Sequence, residues 1–275
     1  VDVQVPSPDL DLNPEAGPES EAIAYLTEQT ITDRSPGPIL HDFQVLLEAI
    51  GNNGLPVSDK TQCIPIKRLG ELNAQMAQPI TIGLKRPQQK SYPNIHGLCL
   101  LLRASGLGTV TKKGKKAVLR LNPKLGAIWQ QLNPTEQYCA LLEAWIIRGN
   151  TELFGDDRGH RSDQDTFDLW QMVIPRLKQG NHNELLNYAS ETYNVALMHL
   201  FGLLDIQSAA PKAGKGWQIK SFKQTPFGLA LMSELQRAYY QNGRRWQSDR
   251  DPSLPLNELQ GTLQPYFPEW QQCLP

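Results

Sequence analysis

No apolar run in this sequence approaches the roughly 18 residues that a membrane-spanning helix requires. The longest candidates, residues 140–147 and 196–204, carry Glu143 and His199. Cysteine is scarce. Cys63, Cys99, Cys139 and Cys273 lie far apart with no CxxC pair, and the five histidines (His41, His96, His160, His182, His199) give none of them a closely spaced zinc partner. That spacing argues against a disulfide framework and a structural zinc site, and leaves reduced thiols in a cytoplasmic protein as the expectation. Also missing are a P-loop, a GxGxxG after a strand, a GxSxG and an HExxH, so no catalytic residue, cofactor or metal is expected. The opening run VDVQVPSPDLDLNPEAGPES has no basic start followed by an apolar stretch, and no secretory signal is expected in it.

What remains is a composition of globular type: 275 residues, 40% apolar and 20% charged, with 21 glycines and 21 prolines. The net charge of -1 conceals an uneven distribution. Residues 1–60 hold eleven acidic residues against Arg34 and Lys60, whereas residues 61–132 hold twelve basic residues against Glu71 alone. A basic block of that size points to an anionic partner.

Along the chain, residues 1–35 read as an acidic flexible arm with a short docking helix near 19–29. Ile39, Phe43, Leu46, Leu47 and Ile50 fall at helical spacing and predict a core-facing helix ending at Gly51. Ile66, Leu69, Asn73 and Met76 predict a second, and residues 94–105 a third, stopped by Gly106. Apolar pairs around Lys113-Gly114 predict a β-hairpin over 107–121. Asn122-Pro123 starts a further helix, and another begins near Pro134. After a polar connection at 150–165, the order recurs: Phe167, Trp170, Ile174 and Leu177 form one stripe and Leu186, Ala189, Tyr193, Ala196, Leu197 and Leu200 another. Gly202 takes the part of Gly106, a hairpin spans 205–222, and Thr225-Pro226 starts a helix. The expected fold is mainly α with short β-hairpins, arranged as two winged-helix-like domains in tandem, at 36–149 and 166–245, followed by a tail at 246–275.

The runs SYPNIHGLCLLLRASGL, LNPKLGAIWQQL, YCALLEAWI, LFGLL, QTPFGLALMSEL and PYFPEWQ resemble bacterial proteins of the Ri-plasmid ORF-three-like family, over most of residues 91–270. That resemblance implies the N-terminal helical region of such proteins, whose PYFPEWQ-like run leads into a β-rich domain. A longer parent, or a relative lacking that domain, is the corresponding expectation. The resemblance bears on fold and carries no catalytic signature.

The expected function is nucleic-acid binding, with double-stranded DNA as partner, through phosphate contacts. Lys112, Lys113, Lys115 and Lys116 crowd one hairpin tip, and Arg120, Lys124, Lys85, Arg86 and Lys90 extend the patch. The helix that would read bases offers only Asn94, His96 and Arg103 as edge contacts, which favours phosphate over sequence reading. Lysines on a hairpin also prevent edge-to-edge pairing. In the second hairpin, Lys212, Lys215, Lys220 and Lys223 are read as serving packing. The competing function is a non-enzymatic adaptor whose winged helices bind another protein, with the acidic arm covering the basic face. The loop cluster Asp156, Asp157 and His160 is read as a solvated connection rather than a catalytic remnant. Arg244, Arg245 and Trp246 are read as a helix end favoured by its dipole.

Overall fold

The computed structural model describes residues 18–114, 116–147, 189–241 and 260–267. Helix dominates, with two small antiparallel sheets. The first part runs α1 (Pro18–Thr27), α2 (Ile39–Ile50), β1 (Leu55–Val57), α3 (Ile66–Gln75), a 3-10 turn (Gln89–Ser91), α4 (Pro93–Ala104), β2 (Gly108–Lys113), β3 (Lys116–Leu121), α5 (Pro123–Trp129) and α6 (Pro134–Ile146). The second part runs α7 (Ala189–Leu200), β4 (Leu204–Ser208), β5 (Ile219–Gln224) and α8 (Pro226–Gln241), then α9 (Gln260–Leu263) and a closing 3-10 turn (Gln264–Tyr266). Among the described residues no helix is long and apolar enough to cross a membrane.

Local chemistry accounts for most of these boundaries. Ile39, Phe43, Leu46 and Ile50 of α2 are buried as their spacing requires. Before α5, Asn122 Oδ1 accepts the N–H groups of Lys124 and Leu125, with Pro123 at the first helical position. Asn133 and Glu136 form a reciprocal capping box before α6. In α3 the expected stripe is corrected at one end: Ile66 is 51% exposed, and Leu72 is buried beside Leu69 and Met76.

Strand β1 was not apparent from sequence, because three residues with Pro56 at the centre carry almost no periodic signal. It joins the first hairpin in the order β1-β3-β2, with Leu55 opposite Leu119 and Val57 opposite Ala117. The sequence α2-β1-α3-α4-β2-β3 therefore closes a three-stranded sheet onto three helices. In the second part, β4 and β5 pair from Leu204↔Gln224 to Ser208↔Ile219. Gly106 and Gly202 occupy matching places after α4 and α7, with φ of 73° and 75°.

The two parts share one apolar core. Helix α4 packs along α7, where a Cβ on Gly97 would come within 2.9 Å of the Leu197 side chain. Tyr138 of α6 donates to Phe201 O at 2.7 Å, and Trp145 Nε1 donates to Asn194 Oδ1 at 3.0 Å. The Trp145 ring stacks on Phe201, their centroids 5.3 Å apart. Helix α1 crosses to the far side and packs on α8 and the closing turn, burying Leu26 with Leu263 and Phe267 in the same core.

Candidate nucleic-acid interface

The first hairpin is built by cross-strand register. Thr109 faces Arg120, Thr111 faces Val118 and Lys112 faces Ala117. Since partners share a face and neighbours alternate, Lys116, Val118 and Arg120 lie on one face with Thr109 and Thr111. Ala117 and Leu119 point the other way, into the core. At the tip, Gly114 takes the left-handed conformation (φ 65°) in open space. Lys112, Lys116 and Lys124 are exposed, Arg120 is half-buried, and none of the four has an ion-pair partner among the described residues. Lys115 and the side chain of Lys113 lie outside the described residues.

A second basic group forms where the long connection after α3 meets the second hairpin. Gly83 N–H donates to Lys215 O, and Gly214 N–H donates to Gly83 O, both at 2.9 Å. A side chain could not fit at Gly83, where a Cβ would fall 1.8 Å from Lys212 O. The connection is long because it reaches across to the β4–β5 loop. That contact sets exposed Lys85 and Arg86 beside exposed Lys212 and Lys215, lysines that sequence reasoning had assigned to packing. Lys90 is exposed in the 3-10 turn before α4.

Charge along the chain is not charge in space. Asp59, just outside the acid-poor block, accepts the Ala117 N–H at 2.9 Å and so stands next to Lys116. One carboxylate near the hairpin's tip offsets part of its positive charge.

The expectation that α4 presents Asn94 and His96 to base edges is corrected. Asn94 is 3% exposed and His96 8%, because α4 is covered by α2, α3, α6, α7, β2 and the preceding turn. Arg103 is half-buried at the helix end. His96 belongs to an internal polar chain: Gln89 Nε2 donates to His96 Nδ1 at 3.2 Å, while Gln89 Oε1 accepts the Ile64 N–H at 2.7 Å. Burial, helped by Lys90 and Arg103, lowers the His96 pKa to about 4, so the ring is neutral at pH 7. Burial likewise pushes the Cys99 thiol up to about 12, and Cys139 well above its ordinary value, which makes both inert. Asn94 is different. Neither its Oδ1 nor its Nδ2 has a hydrogen-bond partner, and it lines a cavity shared with α7 and β4.

Helix α1 lies on α8 rather than on the first hairpin, and residues 1–17 fall outside the described set. So do Trp170, Asp156, Asp157 and His160, and the run Arg244, Arg245, Trp246. Trp129 and Trp145 are core residues. No protein-family model, curated protein or solved structure matches the chain.

Proposed function

We propose that this chain is a tandem winged-helix protein that binds nucleic acid, double-stranded DNA foremost, by phosphate contacts from the first hairpin and not by inserting α4 into a groove. Supporting the winged-helix reading is the order helix, strand, helix, helix, hairpin, with the lone strand β1 paired to β3. Recurrence of helix, left-handed glycine, hairpin and Pro-started helix in the second part supports the tandem reading. The observation that carries the function is that Lys112 and Lys116, on the two faces of one hairpin tip, are both exposed and make no ion pair among the described residues. Each phosphate so neutralised releases a counterion, and recognition of that kind is nearly indifferent to sequence.

The test is binding of a mixed-sequence duplex and the matching single strand over a range of salt, comparing the intact chain with a variant carrying Lys112→Ala, Lys113→Ala, Lys115→Ala and Lys116→Ala. The expected logarithmic salt slope is about -0.9 per duplex phosphate contacted, and the variant loses about 0.9 for each contact removed. An unchanged slope would reject the hairpin as the binding element.

A second reading, the adaptor, is favoured by two observations. The helices at the reading position of each half, α4 and α7, bury against one another. Helix α8 exposes Leu229 (54%) and Tyr240 (45%), which lie eleven residues apart and hence on one face. Absence of nucleic-acid binding even at low salt would leave this reading in place.

A further inference from the structure

A cavity of about 540 Å³ lies between the edge of β4 and residues 78–80, with α7 and the first turn of α4 as its floor. Its size suits a small-molecule ligand, for which pockets of about 300–1,000 Å³ are usual. The segment from Gln78 to Gly83 flanks it and is tied to the second part at both ends. At one end His199 Nε2 and Gln78 Oε1 are 2.9 Å apart. The His199 Nδ1 donates to Leu204 O at 2.9 Å. At the other end stand the Gly83 bonds to Gly214 and Lys215. A compact, planar ligand can enter from the open side.

The lining divides by chemistry. Ile80, Leu200, Ile206 and Trp217 give apolar surface for a flat ring. Asn94 contributes a carboxamide that is 3% exposed and unpartnered at both polar atoms, and an orphaned buried amide is rare in folded chains. As it stands that amide is closed off from water. A ligand there is met only if the amide turns about its soft terminal torsion. A side-by-side donor and acceptor matches adenine, which presents N6–H beside a ring nitrogen. At the rim, Asp205 suits a ribose diol, and Lys220 supplies a cation for phosphate.

We infer that this cavity binds an adenine ribonucleotide, with Asn94 on the base edge, Asp205 on the ribose and Lys220 on the phosphate. The site is separate from the first hairpin and does not depend on duplex binding there. Its adenine can come from a free nucleotide or from one unstacked base of an RNA strand, and the test distinguishes these sources.

Calorimetric titration of the full chain with AMP, adenosine, dAMP and UMP is the experiment, with Asn94→Ala and Lys220→Gln as variants. Saturable one-to-one binding of AMP is expected, weakened at least tenfold by Asn94→Ala. Lys220→Gln, at an exposed position that leaves the fold intact, weakens AMP but not adenosine. Both dAMP and UMP bind less tightly than AMP. Titration with a twelve-residue poly(A) RNA separates the sources: tighter binding per site than AMP, still lost in Asn94→Ala, assigns the base to a strand, and equal or weaker binding assigns it to free nucleotide. The inference is overturned if AMP, adenosine and the RNA all fail to saturate at millimolar concentration, or if Asn94→Ala and Lys220→Gln leave AMP binding unchanged. Saturable binding of a capped tripeptide in place of AMP would also overturn it, in favour of a peptide site.

Discussion

His96 sits between Gln89 and the edge of the Tyr193 ring, with Lys90 and Arg103 in electrostatic reach. Burial first, and those cations second, take its pKa from 6.5 to about 4. The unfolded chain therefore binds a proton near pH 6.5 that the folded chain refuses until about pH 4. Stability from this residue is complete above the unfolded value and drains away as the pH falls toward 4, by about 3 kcal/mol. Asp42 acts with the opposite sign. Burial raises its pKa despite hydrogen bonds from Ala77 and His41, so the folded chain holds that proton to a higher pH and loses stability as pH rises through this shift. Denaturant unfolding from pH 7.5 to 4 is expected to show a positive slope of stability with pH between about 6.5 and 4 that flattens in His96→Gln. A slope indifferent to the substitution would place the titration elsewhere.

At the scale of elements, two glycines set contrasting expectations. Gly202 has a φ of 75°, and a Cβ there would meet Pro36 O at 2.4 Å and Gly37 N at 2.8 Å. Gly202→Ala is expected to destabilise by about 2 kcal/mol or more, through both backbone strain and collision. Gly126, inside α5 with nothing near its missing Cβ, should behave oppositely: Gly126→Ala stabilises by about 0.5–1 kcal/mol. Thermal unfolding of the pair checks both signs at once. The same local signals made much of the fold legible from sequence. Asn122-Pro123, Asn133-Pro134 and Thr225-Pro226 announce helix starts, and Gly106 and Gly202 announce ends, because capping chemistry is confined to a few neighbouring residues. What stayed hidden depends on partners distant in sequence. Strand β1 exists by pairing with β3, the exposure of Asn94 is decided by α7, and Lys85 meets Lys215 only through Gly83. The basic hairpin was readable, whereas Asn94 read as an exposed base-edge contact. Its burial was not readable, since an apolar helix covered on every side and one covered on a single side look alike until their neighbours are placed.

For the whole molecule, a core continuous between the two parts implies one cooperative unit. Calorimetry is expected to give one transition with calorimetric and van't Hoff enthalpies in agreement, and two separable transitions would contradict the shared core. Tyr138→Phe probes the seam directly. It removes the hydroxyl that donates to Phe201 O and leaves a buried carbonyl unpaired, at a cost of about 1–3 kcal/mol, without splitting the transition. The pairing of α1 with α8 has a consequence in time. Roughly 200 residues separate the two helices, and a ribosome adding about 5–20 residues per second needs about 10–40 s between them. For that interval Leu26 and its neighbours leave the exit tunnel with no surface to dock on. Helix α1 finds its place only once α8 has been made, and a nascent chain stalled before α8 would display α1 to whatever binds apolar segments in the cell.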